Sequence, residues 1–311
     1  MSKEFETVAY TKLKHIRVFI NNIIYRNFHL HGETEILCVV SGSCAVNLAG
    51  RAISAAAGDI ILLNPHESHE IVSGGDGADF IVLQLSRHLF REYYPAMESS
   101  YFSENDVGKA LGGKKTEFWR LVLNLTVNYI EAKSGFQLHC ISDAAAILAL
   151  LFENVPHTLC SEVEYLDRKK AVARTERLAA YIDENYRYGI SLSALAEKEG
   201  LTPTYLSHFF VDRFGVTFRE YVNNIRFENA LRLMSSPKMS MIEIAMQSGF
   251  SDVKYMTRTF AARFGCTPKE YRKNRRALPK DSQPAAVSEL EHEYDKEESL
   301  KLLRQARSLL L

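Results

Sequence analysis

Two short stretches of the sequence place polar and cationic side chains at the spacing of one helix face. The residues that we predict to point outward are Thr204, Ser207 and His208 in the first stretch and Val253, Lys254, Thr257 and Arg258 in the second. An arginine can donate two hydrogen bonds to guanine O6 and N7, and a lysine can bind a base or a phosphate. Any single one of these residues also fits a solvated helix face. Taken together, they predict two surfaces that read base pairs in a DNA groove.

An internal repeat positions both stretches. Residues 205–221 align with residues 255–271 at an offset of 50, and residues 191–201 align with 240–250 at an offset of 49. Identical pairs in the longer block are Tyr205/Tyr255, Phe210/Phe260, Arg213/Arg263, Phe214/Phe264, Gly215/Gly265, Thr217/Thr267, Glu220/Glu270 and Tyr221/Tyr271. The chain therefore contains two copies of one structural unit.

Each copy has the signals of a helix, a tight turn and a second helix. In the second copy, Ser240 and Glu243 form a predicted capping box, Gly249 permits the turn, and Ser251 is the predicted cap of the next helix. Ser191 opens the first copy in the same way. This order is the helix-turn-helix plan, in which the second helix enters the DNA major groove.

A third helix is predicted to join the two copies. Thr217 and Glu220 form another capping box, and the helical pattern continues to about Met234. About 17 residues at 1.5 Å each make a rod of about 25 Å, while successive major grooves lie roughly 34 Å apart. One chain could therefore read two neighbouring groove segments without dimerising.

Charge is distributed unevenly along the 311 residues. The chain has 38 Lys and Arg against 38 Asp and Glu, but residues 166–278 alone have 20 against 12. A basic module of this size is suited to a polyanionic partner such as nucleic acid. The 46% hydrophobic and 24% charged composition excludes disordered and collagen-like classes. We saw no signal peptide and no apolar run long enough to span a bilayer, so we expect a cytoplasmic protein with no membrane partner.

The first half of the chain has a different pattern. Short β-branched runs separated by turn residues extend from Val18 to Leu85 and indicate an antiparallel barrel or sandwich. After Tyr101 apolar residues recur at helical spacing in two segments: the first has Phe118, Leu121, Val122, Leu125 and Tyr129, and the second is ISDAAAILALLFEN. We expect these helices to pack on the barrel and to offer a dimer surface.

The repeat strongly resembles the AraC/XylS family of bacterial transcription regulators. The segment IAMQSGFSDVKYMTRTFAARFGCTPKEYR follows the family signature almost throughout, and the resemblance covers about residues 171–275. It implies that Thr204, Ser207 and His208 and, in the other helix, Val253, Lys254 and Arg258 occupy base-contacting positions. Val253 departs from the usual polar residue, which suggests an apolar contact with a thymine methyl group.

The N-terminal half looks like the cupin-type sensor domain of many family members, on the segments FHLHGETE, Gly42 and GDIILLNPHESH. The residues His29, His31, Glu35 and His69 are similar in type and spacing to the metal ligands of cupin enzymes. The segment PHE at 65–67 lacks the glycine that usually follows the proline in those enzymes. We therefore predict no metal and no cofactor, and assign these four residues to a small effector or to hydrogen bonds within the barrel.

The predicted fold class is multidomain α+β, with an N-terminal cupin-like antiparallel β-barrel carrying helices and a C-terminal all-α double helix-turn-helix. Predicted divisions are 1–100 barrel, 101–155 helical dimerisation segment, 156–170 linker, 171–278 DNA-binding domain and 279–311 a tail with a helical pattern. The predicted function is a transcriptional regulator, an activator by resemblance, that is not an enzyme. Predicted partners are double-stranded DNA, a small effector such as a sugar or related metabolite, RNA polymerase and a second copy. Alternatives are a metal-dependent cupin enzyme with a DNA-binding appendage and a ligand-independent DNA binder.

Overall fold

The N-terminal domain is built from two antiparallel sheets that face each other. A computed structural model describes residues 8–48, 51–74, 76–160, 162–234, 239–264, 266–276 and 291–310. The first strands in chain order are β1 Ile16–Ile23, β2 Tyr25–His29, β3 Thr34–Ser41, β4 Ser43–Leu48, β5 Arg51–Ala56, β6 Ile60–Leu63, β7 His69–Ser73 and β8 Ala78–Leu85. With β11 Glu291–Glu293, they form one sheet in the order β11-β1-β8-β3-β6 and another in the order β2-β7-β4-β5. The predicted antiparallel β architecture is confirmed.

Alternating side chains of the strands fill the space between the two sheets. Phe19, Leu37, Val46, Ile71 and Phe80 belong to this core. Because successive residues of a strand point to opposite faces, the other residues of the larger sheet point outward and need a second cover. Helices provide that cover, and β3 in the middle of the sheet is consequently buried on both faces.

Three helices in the middle of the chain pack on the outer face of the larger sheet. These are α1 Val107–Leu111, α2 Lys115–Glu131 and α3 Phe136–Asn154, and the short strands β9 Ser100–Phe102 and β10 His157–Leu159 pair beside them. Phe118, Val122, Leu125 and Tyr129 of α2 are buried in one core with residues of β1, β3 and β8. The predicted helical period is therefore the packing face of α2.

Helix α3 alone among the described helices is long and apolar enough to cross a membrane, which corrects the expectation that no segment reaches that length and hydropathy. Its Cys140, Ala144, Ile147 and Leu151 are nevertheless buried against α2 and the sheet. These contacts are those of a core helix, and the criterion of length and composition is met by such helices too.

All the regular elements between Glu162 and Arg276 that the structure describes are helices. The helices are α4 Glu162–Asn185, α5 Leu192–Lys198, α6 Pro203–Phe214, α7 Phe218–Met234, α8 Met241–Gln247, α9 Val253–Phe264 and α10 Pro268–Arg276. We call α5 and α6 the first unit and α8 and α9 the second unit. The connecting helix α7 ends at Met234, where the sequence pattern predicts its end.

The segment 156–170, which we predict to be the linker between the two halves, contains regular secondary structure. Strand β10 begins at His157 and helix α4 begins at Glu162. Asp167 and Lys170 are exposed, whereas Leu178 and Ile182, farther along the same helix, are buried. The sequence of this segment has no steady apolar period, so it does not distinguish the start of a helix from a loop.

Side-chain caps begin the short helices of both units, mostly as predicted. Ser191 Oγ accepts a hydrogen bond from the Ala194 amide, and Ser240 forms the predicted capping box with Glu243. The predicted cap of α9 is wrong by one residue. Asp252 Oδ1 accepts from the Tyr255 amide at 2.7 Å, so Asp252 rather than Ser251 caps the helix.

The C-terminal tail returns to the N-terminal domain. Strand β11 extends the larger sheet by pairing with β1, and helix α11 Lys296–Leu310 packs against α2. Leu302, Leu303 and Ala306 of α11 are buried in the same core as α2 and α3. The helical pattern predicted for the tail is confirmed over 296–310, while 279–290 lie outside the described residues.

Candidate functional site

The outward face of α6 carries the three side chains that the repeat singled out. Thr204, Ser207 and His208 are exposed. Leu206 and Phe210, on the opposite side of the helix, are fully buried among residues of α4, α5 and α7. The helix is thus held by its apolar face, and its polar face is available to a partner.

The outward face of α9 is more strongly cationic. Lys254 and Arg258 are exposed, and Arg258 extends over the Tyr255 ring at 5.9 Å from its centroid. The other two predicted residues are half-buried. Val253 packs against the core of the second unit, and the hydroxyl of Thr257 donates to the Val253 carbonyl at 2.8 Å. The Lys254 and Arg258 side chains are therefore the best placed on this helix to reach a base edge.

A guanidinium on α7 fixes how the two units are joined. Arg226 donates from Nε to the Tyr186 carbonyl at 2.9 Å and from Nη2 to the Tyr188 carbonyl at 3.1 Å. Burial lowers the pKa of Arg226 from its ordinary value. The turn of the second unit packs on the same segment, because a Cβ on Gly249 would lie 2.9 Å from the Tyr186 oxygen. Sequence reasoning missed Arg226, since a lone arginine in a helix carries no positional signal.

Three of the four predicted residues in the barrel converge on one point. His29 at the end of β2, Glu35 on β3 and His69 at the start of β7 each offer one ligand atom, and these atoms all lie within 4.8 Å of one another. His29 and His69 are register partners in the β2–β7 ladder, which brings their ring centroids to 4.0 Å. All three residues are at least nine-tenths buried.

Backbone carbonyls orient the two imidazoles. His29 Nδ1 lies 2.8 Å from the Asn27 oxygen, and His69 Nδ1 lies 2.9 Å from the Glu67 oxygen. Burial first, and the nearby Arg26 charge second, holds the pKa of His29 well below its ordinary value. A neutral imidazole that donates from Nδ1 presents a lone pair at Nε2. His29 Nε2 is buried and has no hydrogen-bond partner among the described residues.

His31 has a different place from the other two histidines. Its Nε2 lies 2.9 Å from Glu35 Oε2, and the Gln84 amide donates to the same oxygen at 2.7 Å. Burial favours a raised pKa for Glu35, but His31 and His69 hold the pKa of that carboxyl well below its ordinary value. The other oxygen, Oε1, faces His69 Nε2 at 3.3 Å. His31 therefore orients the Glu35 carboxylate. The possible ligand atoms that lie together belong to His29, Glu35 and His69.

The barrel edge that carries this cluster contacts the first unit directly. Leu30, between the two histidines of β2 and its following turn, is buried in the core formed by α4, α5, α6 and α7. The Ser68 hydroxyl donates to the Phe214 carbonyl at 3.1 Å. Phe28 lies against Gly215, where an added Cβ would be 2.8 Å from the ring. The sequence offered no signal for this contact between domains.

Both halves of the chain match known protein families. Residues 20–106 match the AraC-like ligand binding domain family, and residues 195–274 match a helix-turn-helix domain family. The virulence regulon transcriptional activator VirF of Yersinia enterocolitica is 32% identical over 126 residues, which are 40% of this chain and 45% of VirF. The uncharacterized HTH-type transcriptional regulator YdiP of Escherichia coli K12 is 23% identical over 249 residues, 79% of this chain and 80% of YdiP.

A crystal structure of wild-type ToxT from Vibrio cholerae with a bound unsaturated fatty acid is 14% identical, covers 85% of this chain and 97% of ToxT, and has a TM-score of 0.43. The alignment with VirF spans less than half the length of that relative. The two family matches follow one another in the order ligand-binding domain, then helix-turn-helix domain. The chain belongs to the AraC family of transcriptional regulators.

Proposed function

We propose that the protein is a sequence-specific DNA-binding transcriptional activator that responds to a small effector. The observation that carries the proposal is the pair of exposed faces on α6 and α9, each held by a buried apolar face within one basic module. Short helices that end in a glycine turn before a second helix place that second helix in the major groove. Phosphates would bind the surrounding lysines and arginines, and the outward side chains would read the bases.

The connection between the units supports binding to two adjacent groove segments. Helix α7 has 17 residues and is a rod of about 25 Å at 1.5 Å per residue. Arg226 and the close contact at Gly249 hold the second unit in one orientation relative to the first. We therefore expect a bipartite site whose two halves lie about one turn of DNA apart.

Binding-site selection with the full chain tests this function. We expect enrichment of one bipartite sequence and an affinity that falls steeply with salt, because bound counterions are released on association. A Lys254→Ala variant separates two roles of that side chain: loss of a phosphate contact lowers the salt slope by about one without changing the consensus, whereas loss of a base contact changes the consensus. Recovery of random sequences, or binding that is independent of salt, would contradict the proposal.

A transcriptional activator also needs protein partners. We propose a cytoplasmic homodimer that contacts RNA polymerase. Helix α3 supplies the dimer surface, because its outer side exposes an apolar stripe comprising Leu138, Ile141, Ala145 and Ala149. An Ile141→Asp variant is expected to sediment as a monomer, because it places a charge in the apolar stripe. Glu153→Gln, at the exposed end of α3, is the matched control.

A metal ion at His29, Glu35 and His69 is a second candidate function of the barrel, favoured by the donor geometry. Two ligand atoms at 2.0–2.1 Å from a tetrahedral zinc ion are about 3.4 Å apart, and the His69 Nε2 to Glu35 Oε1 distance is 3.3 Å. Hydrogen bonds from Nδ1 to backbone carbonyls are the usual outer support of such ligands. The alternative assignment of His29, His31, Glu35 and His69 to effector binding stays a prediction.

Elemental analysis of protein purified without chelators tests the metal site. We expect near-stoichiometric zinc, iron or manganese in the wild type and its loss in His29→Ala. The exposed His88 lies outside the cluster, so a His88→Ala variant should keep its metal. Metal-free wild-type protein that also fails to take up zinc on titration would contradict this candidate.

A further inference from the structure

A cleft separates the rim of the barrel from the C-terminal end of α6. It has a volume of about 610 Å³, a size typical of small-molecule sites. Its walls come from two domains. Arg51, His66 and Arg87 line it from the N-terminal domain, and Arg213 lines it from the first unit. Neither the sequence pattern nor the family match assigns a role to these side chains.

The guanidinium of Arg87 contacts the backbone of Glu98 rather than its carboxylate. Its Nη1 donates to the backbone carbonyl of Glu98 at 3.2 Å, which is a neutral acceptor. The carboxylate of Glu98 is engaged by His88 at 2.7 Å and by Arg91 at 3.1 Å. The carboxylate of Glu67 is similarly engaged, because Oε2 accepts hydrogen bonds from the side chains of Asn64 and Asn105. The carboxylates of Glu67 and Glu98 are thus already engaged by other side chains, while Arg87 lines the cleft.

Arg213 presents a second charge from the opposite wall. Its Nε is buried and has no hydrogen-bond partner within the described part of the chain. It forms a long ion pair, at 3.6 Å, with the largely exposed Asp212, which lines the same cleft. A buried donor without an acceptor is costly, so this atom is a position where a ligand oxygen would be stabilised.

The two arginines act on the same space. His66 lines the same cleft, and burial and then the charges of Arg87, His31 and Arg213 lower its pKa to about 3. Arg87 lines the cleft from the N-terminal domain and Arg213 lines it from the first unit. The positive potential of the cleft is therefore concentrated where the barrel and the first unit meet.

We propose that this cleft binds a small polar anion, a metabolite with a carboxylate or phosphate group that Arg87 and Arg213 hold from opposite sides. The inference rests on the proposed function, because it names the chemical class of the effector and the place where it acts. Arginine forks bind both kinds of oxyanion in two-point geometry. An anion held in this way links the N-terminal domain to the last turn of α6, beside the hydrogen bond from Ser68 to Phe214.

The test is a titration of the full chain with three probes at constant ionic strength. Sodium phosphate and sodium glucuronate represent the two oxyanions, and glucose is the neutral control. We expect saturable calorimetric binding of phosphate or glucuronate, with a rise in melting temperature, and none of glucose. Which of the two anions binds more tightly distinguishes a phosphorylated from a carboxylated effector.

Matched variants locate the site. Arg87→Gln and Arg213→Gln should each weaken anion binding by at least tenfold, and Arg87→Lys should restore part of it. Arg177→Gln, a surface arginine of α4 that pairs with Glu199, should bind as the wild type does. Unchanged affinity in both cleft variants, equal binding of glucose, or no saturable binding of either anion would overturn the proposal. Selective DNA binding by the wild type is measured separately, so its presence without anion binding leaves the proposed function intact.

Discussion

The two helix-turn-helix units are built alike and are held differently. In both, an equivalent backbone hydrogen bond closes the turn: the Leu201 amide donates to the Ala196 carbonyl in the first unit, and the Phe250 amide donates to the Ala245 carbonyl in the second. The first unit then packs on the barrel through Leu30. The core of the second unit consists of residues from α7 to α10.

The outward faces of the two units also differ, in the chemistry of their exposed side chains. The first unit exposes hydroxyls and an imidazole on α6, while the second exposes Lys254 and Arg258 on α9. The two units therefore share their helices and turn, and they differ in their packing partners and in the side chains on their outward faces. We infer that the two units have different roles. The N-terminal domain acts on the first unit, and the second unit contributes most of the discrimination between bases.

The largest loss of stability is expected from truncating Leu30, the side chain of the barrel that is buried in the core of the first unit. Leu30 is 1% exposed, and Leu30→Ala should cost about 2 to 5 kcal/mol by leaving a cavity. Hydrogen exchange measured by mass spectrometry should show faster exchange in α4 and α6 and little change in α9. Equal acceleration in both units would refute the difference in how they are held.

The paired turn glycines test the second unit. Both have positive φ, +66° at Gly200 and +84° at Gly249, but an added Cβ at Gly249 would be 2.9 Å from the Tyr186 oxygen and from the Arg187 Cα. At Gly200 it would meet no described atom within 4 Å. Gly249→Ala should therefore cost about 2 to 4 kcal/mol from strain and overlap, and Gly200→Ala about 1. Denaturant unfolding of the two variants measures both, and equal losses would contradict the close packing at Gly249.

Equivalent positions on the recognition helices compare the two faces. His208 and Arg258 correspond in the repeat and are both exposed. Arg258→Ala should cost about 1 to 3 kcal/mol on the selected site and relax the preference at one base pair, since it loses two-point guanine recognition. His208→Ala should have a smaller effect. Binding-site selection with each variant decides, and full wild-type preference in Arg258→Ala would show that α9 docks differently.

The smallest expected effect concerns the hydroxyl between the domains. Ser68→Ala removes one hydrogen bond to the Phe214 carbonyl and should cost about 0.5 to 1.5 kcal/mol. Ser142→Ala, on the exposed side of α3, should change stability little. Thermal unfolding of the two variants provides the measurement. A loss above that range would mean that the contact between domains is more cooperative than one bond.

Local patterns predicted much of the fold. The period of Phe118, Val122 and Leu125 specifies the buried face of α2, and the capping box at Ser240 starts α8 at the expected residue. The convergence of His29, Glu35 and His69 follows from strand alternation together with the pattern of the cupin resemblance. Each of these features depends on residues close together in sequence or on one repeated motif.

Features set by distant contacts were outside the reach of those patterns. The Arg226 clamp joins residues about 40 positions apart, and the bond from Ser68 to Phe214 joins residues 146 apart. Even the shift of the α9 cap from Ser251 to Asp252 depends on which side chain the folded turn brings to the Tyr255 amide. Neither side-chain type nor spacing distinguishes such arrangements before the chain is folded.

The return of the tail to the larger sheet has a consequence for the order of folding during synthesis. Strand β11 and the buried Leu302, Leu303 and Ala306 of α11 complete a core whose other members precede Pro156 in the chain. Chains fold as they emerge, generally from the N-terminus. Here the helical module emerges second, but its core would be complete first. The domain that precedes it could finish folding only after residues 291–310 had left the ribosome.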